Sequence, residues 1–122
     1  MGEPSILFVD DDAALRDIVT DQLSAQGYRV DEAADGADAL TKLQTTSYDV
    51  MLLDINMPQK SGIDVLKHVK DNGLKCKIIM LTGRVGFSIA MESLKLGADE
   101  YITKPFSFDY LVDAIKRVLA KQ

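Results

Sequence analysis

The stretch Val50–Asp54 (VMLLD) places a carboxylate directly after four consecutive apolar residues. A short, continuously apolar run is typical of a strand that is covered on both faces, as in a parallel sheet. Residues 6–9 (ILFV) and 78–81 (IIML) form two similar runs, whereas residues 28–30 (YRV) and 101–102 (YI) are mixed or shorter. We therefore predict five strands, with the strand at 28–30 on an edge of the sheet.

Helical patterns separate these five runs and follow the last of them. Apolar residues recur every three or four positions in each of these segments, most clearly after Ser107. Ser61 and Ser107 are predicted to cap the amino ends of their helices, and glycines 27, 73 and 97 stand where helices would end. Strand and helix thus alternate five times, which predicts a doubly wound parallel sheet with helices on both faces, and a single domain over residues 1–122.

The composition is that of a globular protein and excludes several functional classes. The chain has 122 residues and a net charge of −5, which argues against a nucleic-acid-binding surface built of clustered lysine and arginine. Cys76 is the only cysteine, so no internal disulfide can form. No apolar run approaches the length of a membrane span. We expect a cytoplasmic protein that contacts neither membrane nor nucleic acid through this segment.

Polar side chains that could bind a ligand or take part in a reaction follow four of the five predicted strands. Asp10 and Asp11 follow the first strand, Asp54 the third, Thr82 the fourth and Lys104 the fifth. Ligands of open parallel sheets bind outside the carboxyl ends of the strands. We therefore expect these side chains to meet at one edge of the sheet.

Crowded carboxylates repel one another unless a cation joins them. Mg²⁺ suits this position because it takes oxygen ligands, usually one or two carboxylates together with water and phosphate oxygens. Asp11 and Asp54 are the predicted direct ligands, Asp10 acts through water, and the backbone carbonyl of Asn56 supplies a further oxygen. Asp12 is instead expected to cap the following helix.

The same set of residues is suited to phosphoryl transfer, which needs mainly positioning and charge neutralisation. Asp54 is a sensible acceptor because a carboxylate nucleophile gives an acyl phosphate that hydrolyses, so the modification is reversible. Lys104 would add positive charge beside the phosphoryl group, and Thr82 could donate a hydrogen bond to it.

Four segments in this order and spacing resemble the signature of response regulator receiver domains: 6–12 (ILFVDDD), 49–58 (DVMLLDINMP), 80–83 (MLTG) and 99–106 (DEYITKPF). The resemblance extends over essentially the whole chain. It implies a CheY-like, flavodoxin-like (βα)5 fold with strand order 2-1-3-4-5, and a signalling domain of a two-component phosphorelay, not an enzyme.

The resemblance also assigns roles to individual residues. Asp54 would take its phosphoryl group from a histidine kinase or a histidine phosphotransfer protein, with Mg²⁺ held by Asp10, Asp11 and Asp54. Lys104 would contact the phosphoryl group together with the hydroxyl of residue 82. The peptide bond between Lys104 and Pro105 would be cis.

The implied output is a change of surface. Tyr101 and Thr82 would act as switch residues that remodel the face formed by the fourth helix, fifth strand and fifth helix. That face would contact a downstream effector or a fused output domain, and could also form a homodimer. No output domain follows Gln122 in this sequence. One departure from the family is Gly83, which stands where alanine is most common.

Other functions are compatible with parts of the pattern. A receiver-like domain used only for binding would have the same fold. Haloacid-dehalogenase-like phosphatases also use an aspartate nucleophile with Mg²⁺, but they need a second aspartate two residues later, where this chain has Asn56. A flavin mononucleotide site would need a loop rich in serine, threonine and glycine after the first strand, where this chain has three aspartates.

Overall fold

The computed structural model describes residues 3–55, 57, 61–83 and 87–121. Five strands and five helices alternate along these residues. In chain order they are β1 (Ser5–Val9), α1 (Ala13–Ala25), β2 (Arg29–Ala33), α2 (Gly36–Thr45), β3 (Val50–Asp54), α3 (Gly62–Asp71), β4 (Lys77–Thr82), α4 (Phe87–Lys95), β5 (Glu100–Thr103) and α5 (Phe108–Leu119).

The strands form one sheet of order β2-β1-β3-β4-β5, in which all neighbouring strands are parallel. Every residue of β1 and β3 is buried, and β4 is buried from its second residue onward. The continuously apolar runs are therefore the three central strands, as predicted, and the predicted flavodoxin-like order is confirmed.

The prediction for β2 was wrong in position. The strand begins at Arg29 and runs to Ala33, whereas residues 28–30 were predicted. Tyr28 instead takes part in the cap that follows α1, because its N–H donates to the carbonyl of Leu23 (3.2 Å) and the preceding Gly27 has a φ of +97°. As an edge strand, β2 has alternating exposure and accommodates acidic residues that the apolar pattern had left out. The other four strands contain the predicted runs and extend them by one or two residues.

The predicted helix ends are confirmed. Ser61 accepts from the N–H of Asp64 (3.3 Å), and the carboxylate of Asp64 accepts from the N–H of Ser61 (3.3 Å), which makes a complete capping box. Ser107 caps α5 through the N–H of Tyr110 (3.1 Å), and Asp12 caps α1. Glycines 27, 73 and 97 all have positive φ at the carboxyl ends of helices.

The core consists of two layers, one on each face of the sheet. Helices α1 and α5 cover one face, and α2, α3 and α4 cover the other. The largest fully buried side chains come mostly from the central strands; among them are Phe8, Ile6, Leu7, Met51, Leu52, Leu53, Ile78, Ile79, Met80 and Leu81. The carboxyl ends of the five parallel strands lie together at one edge of this sheet. None of the helices in the described part of the chain is long and apolar enough to span a membrane.

Gly62 joins α3 closely to the end of β3. Its N–H donates to the carbonyl of Ile55 (3.0 Å). A Cβ atom at this position would overlap the carbonyl oxygen of Asp54 and lie 2.8 Å from the Cα of Ile55. Only glycine lets the two backbones approach this closely.

We predict that Gly62→Ala lowers the free energy of unfolding by about 1–3 kcal/mol or more, because backbone atoms must move to admit the methyl group. Urea unfolding followed by circular dichroism measures this. Gly83→Ala is the matched control, since no described residue other than its chain neighbour has an atom within 4 Å of its Cβ position, and it should change stability by less than about 1 kcal/mol. Equal stabilities of the two variants would contradict the prediction.

Candidate functional site

Three carboxylates meet at the carboxyl ends of β1 and β3. Asp10 and Asp11 directly follow β1, and Asp54 is the last residue of β3. These strands are neighbours in the sheet. As a result, the three residues bring one carboxylate oxygen each to within 4.8 Å of one another. The predicted convergence of the three acids is confirmed.

Asp10 is fully buried and held by several hydrogen bonds. Its N–H donates to the carbonyl of Ala33 (3.1 Å), and its Oδ1 accepts from the N–H of Asp12 (2.9 Å). Its Oδ2 accepts from Nζ of Lys104 at 2.7 Å. A buried carboxylate is tolerated only when it is paired and hydrogen-bonded in this way.

Lys104 lies between two of the acids. Its Nζ is 2.7 Å from Oδ2 of Asp10 and 3.6 Å from Oδ2 of Asp54. Burial opposes the ammonium charge, but the hydrogen bond to Asp10 and the nearby charges of Asp10, Asp54 and Asp11 outweigh it and raise the pKa of Lys104. The ion pair of Lys104 with Asp10 therefore contributes its full stabilisation at pH values below the ordinary lysine pKa. This stabilisation is lost as the pH rises through the raised pKa that Lys104 has in the folded protein.

The other two acids differ in their surroundings. Asp54 is buried beside Lys104, with 6% of its surface exposed, whereas Asp11 is exposed to solvent. The ammonium of Lys104 lies beside two of the three carboxylates, those of Asp10 and Asp54, and solvent reaches the third, Asp11. Carboxylate oxygens in this arrangement are the donor type that a hard divalent cation prefers.

Thr82 is the last residue of β4, the strand that neighbours β3. Leu81 is the register partner of Asp54, so Thr82 lies one residue farther along at the same edge. Its side chain is 1% exposed, and its hydroxyl donates to the carbonyl of Gly83 (3.1 Å). The backbone of Thr82 therefore lies at the same edge of the sheet as Asp54, and its hydroxyl is bonded to the loop that follows β4.

Tyr101 lies away from the acids, inside β5. It is half-buried and packs against the core layer that includes α4. It lines two clefts, one shared with Leu94 and one shared with Phe106 and Tyr110. Asn56, whose carbonyl was predicted as a metal ligand, lies outside the described residues.

The expected cis peptide bond between Lys104 and Pro105 is present. Gly83, the departure from the family pattern, has open space at its Cβ position among the described residues. Two residues at the site were not singled out from the sequence. Gly62 abuts the backbone of Asp54, and Arg16 contacts the backbone of Asp10.

Comparison with known proteins finds relatives across most of the chain. The chain is 42% identical over 111 residues to the transcriptional regulatory protein DltR of Streptococcus agalactiae, which covers 91% of this chain and 50% of that protein. It is 35% identical over 116 residues to the response regulator MprA of Mycobacterium avium, covering 95% of this chain and 51% of the relative. The chain therefore spans about half the length of the curated relatives it matches.

Solved structures share the fold. The chemotaxis protein CheY4 of Vibrio cholerae superposes with a TM-score of 0.89 at 34% identity, over 96% of this chain and 99% of that one. A CheY-like receiver domain protein of Methanospirillum hungatei gives a TM-score of 0.91 at 34% identity, over 97% and 94% of the two chains. The model of the response regulator receiver domain matches residues 6–116. The chain belongs to the response regulator receiver domain family of two-component signalling systems.

Proposed function

We propose that Asp54 accepts a phosphoryl group from a histidine kinase or a histidine phosphotransfer protein, in a Mg²⁺-dependent reaction that changes how the domain binds its partner. The observation that carries this proposal is the position of Lys104, whose ammonium lies between Asp10 and Asp54. A cation next to a buried carboxylate is suited to receive a group that brings about −1.5 to −2 charges. The domain itself is a signalling module that supports only its own phosphorylation and dephosphorylation.

The carboxylate of Asp54 would act as the nucleophile. An oxygen of Asp54 forms a bond to phosphorus while the bond from phosphorus to the donor's imidazole nitrogen breaks, and the imidazole keeps the electron pair. The product is an acyl phosphate on Asp54. Asp10, Asp11 and Asp54, with the carbonyl of Asn56, would hold Mg²⁺, which neutralises oxygens of the incoming phosphoryl group when it is bound.

Lys104 would move between two partners. Without phosphate, its short contact is with Asp10 and its longer contact, 3.6 Å, is with Asp54. A phosphoryl group on Asp54 offers stronger acceptors close to the same ammonium, so Lys104 would turn toward it. Thr82 would exchange its bond to the carbonyl of Gly83 for one to a phosphoryl oxygen, which a hydroxyl can do by rotation.

The change at Thr82 would reach the surface through Tyr101. Tyr101 lines two clefts, which would leave its ring room to change position. We infer that this remodels the α4-β5-α5 face. That face would contact a downstream effector, a fused output domain or a second copy of the chain. A fused output domain would account for the half of each relative that this chain does not match. One of these relatives is named a transcriptional regulatory protein and another a response regulator.

Incubation with acetyl phosphate and Mg²⁺ should give a single phosphate adduct by intact mass spectrometry, because acetyl phosphate presents an activated phosphoryl group. Asp54→Asn should show no adduct, since an amide is not a competent nucleophile. Asp12→Asn is the control, because asparagine also caps helices well and Asp12 caps α1 beside the acids; it should keep the adduct. Absence of an adduct from the wild type with any donor would favour the binding-module alternative.

Asp11→Asn should have opposite effects with and without Mg²⁺. Without the ion, it removes like-charge repulsion and should raise the free energy of unfolding by roughly 1 kcal/mol. With Mg²⁺, the wild type should gain stability by mass action and the variant should gain much less. Thermal unfolding with and without Mg²⁺ measures both effects, and Asp17→Asn, an exposed acid on α1, should follow the wild type. A variant that responds to Mg²⁺ as the wild type does would refute the assignment of Asp11 as a ligand.

Beryllium fluoride, which mimics the acyl phosphate, should shift backbone amide resonances in α4, β5 and α5 as well as those at Asp54. The measurement is a pair of ¹⁵N-¹H NMR spectra with Mg²⁺, recorded before and after addition. Asp54→Asn under the same conditions is the control and should show no such shifts. Shifts confined to the vicinity of Asp54 would exclude the proposed change of the face.

A further inference from the structure

Arg16 connects three elements behind the acidic cluster. It lies on α1, and only 16% of its side chain is exposed. Its Nε is 3.1 Å from Oε1 of Glu32, on the edge strand β2. Its Nη1 donates to the main-chain carbonyl of Asp10, at the end of β1. The guanidinium therefore joins α1 and β2 to the backbone of the candidate site.

The contact with the Asp10 carbonyl orients the peptide bond that leads into Asp11. Asp10 is fully buried, and buried carbonyl groups require a donor. Asp11, by contrast, is exposed to solvent, yet its carboxylate lies with those of Asp10 and Asp54. The direction of the Asp11 side chain therefore depends on the backbone that Arg16 holds.

An arginine is suited to this position for geometric reasons. Its planar group presents several N–H donors in fixed directions and so can serve a carboxylate and a carbonyl at the same time. Glu32 fixes the guanidinium from the side of β2, and α1 fixes the other end of the side chain. The same group also places a positive charge next to the backbone of Asp10.

We propose that Arg16 is a positioning residue for the metal-binding carboxylates, and that it keeps the peptide between Asp10 and Asp11 in the orientation that Mg²⁺ binding needs. This inference rests on the proposed function. Removing groups that orient metal ligands typically weakens metal affinity about 10–100-fold.

Isothermal titration calorimetry with Mg²⁺ on the unphosphorylated protein tests the inference. Arg16→Met should raise the Kd for Mg²⁺ about tenfold or more. Arg16→Lys should rescue part of this loss, because an ammonium keeps the charge but lacks the planar pair of donors. Arg117→Met is the control, because it also removes an ion pair between a helix arginine and a strand glutamate, that with Glu100 at the start of β5, and it should leave the Kd unchanged.

The outcomes separate this inference from the proposed function. A wild type that binds no Mg²⁺ would overturn both. A wild type that binds Mg²⁺ and an Arg16→Met variant with the same Kd would overturn the inference alone. If Arg16→Met does not fold by circular dichroism, Glu32→Ala replaces it, because this variant leaves Arg16 in place without its anchor. Glu32→Ala should raise the Kd several-fold, and a Kd equal to that of the wild type would overturn the inference.

Discussion

The repulsion between Asp10, Asp11 and Asp54 is the constraint on which the rest of the site depends. The sheet places these acids together because β1 and β3 are adjacent and end at the same level. Grouped carboxylates repel one another, so this arrangement costs stability unless positive charge offsets it. The fold tolerates the arrangement because its two apolar layers bury the central strands completely.

Lys104 connects the segment between β5 and α5 to the acidic site. It is 94 residues from Asp10 in sequence, yet its Nζ lies 2.7 Å from that carboxylate. A cation arriving at the acids would compete with Lys104 for their carboxylates. A phosphoryl group on Asp54 would compete with Asp10 for the ammonium of Lys104. Under the proposed function, the segment between β5 and α5 would respond to the occupancy of the site formed by β1 and β3.

Much of the fold could be predicted from the sequence, because strands and helix ends are marked by residues that are close together in the chain. The apolar run before Asp54 identified a central strand, and Ser61 and Ser107 marked helix starts that the structure has. The position of β2 was missed because an edge strand needs no continuous apolar run. The residues that follow the strands were expected to converge, and their type suggested the chemistry.

The features that the sequence did not reveal depend on contacts between elements that are far apart in the chain. Lys104 was expected as a counter-charge, but its preference for Asp10 over Asp54 follows from packing. Gly62 matters only because α3 approaches the backbone of Asp54.

Borohydride reduction after incubation with acetyl phosphate and Mg²⁺, followed by peptide mass mapping, tests the central claim most directly. Conversion of Asp54 to homoserine is the result that we predict; reduction at another residue, or none, would contradict it.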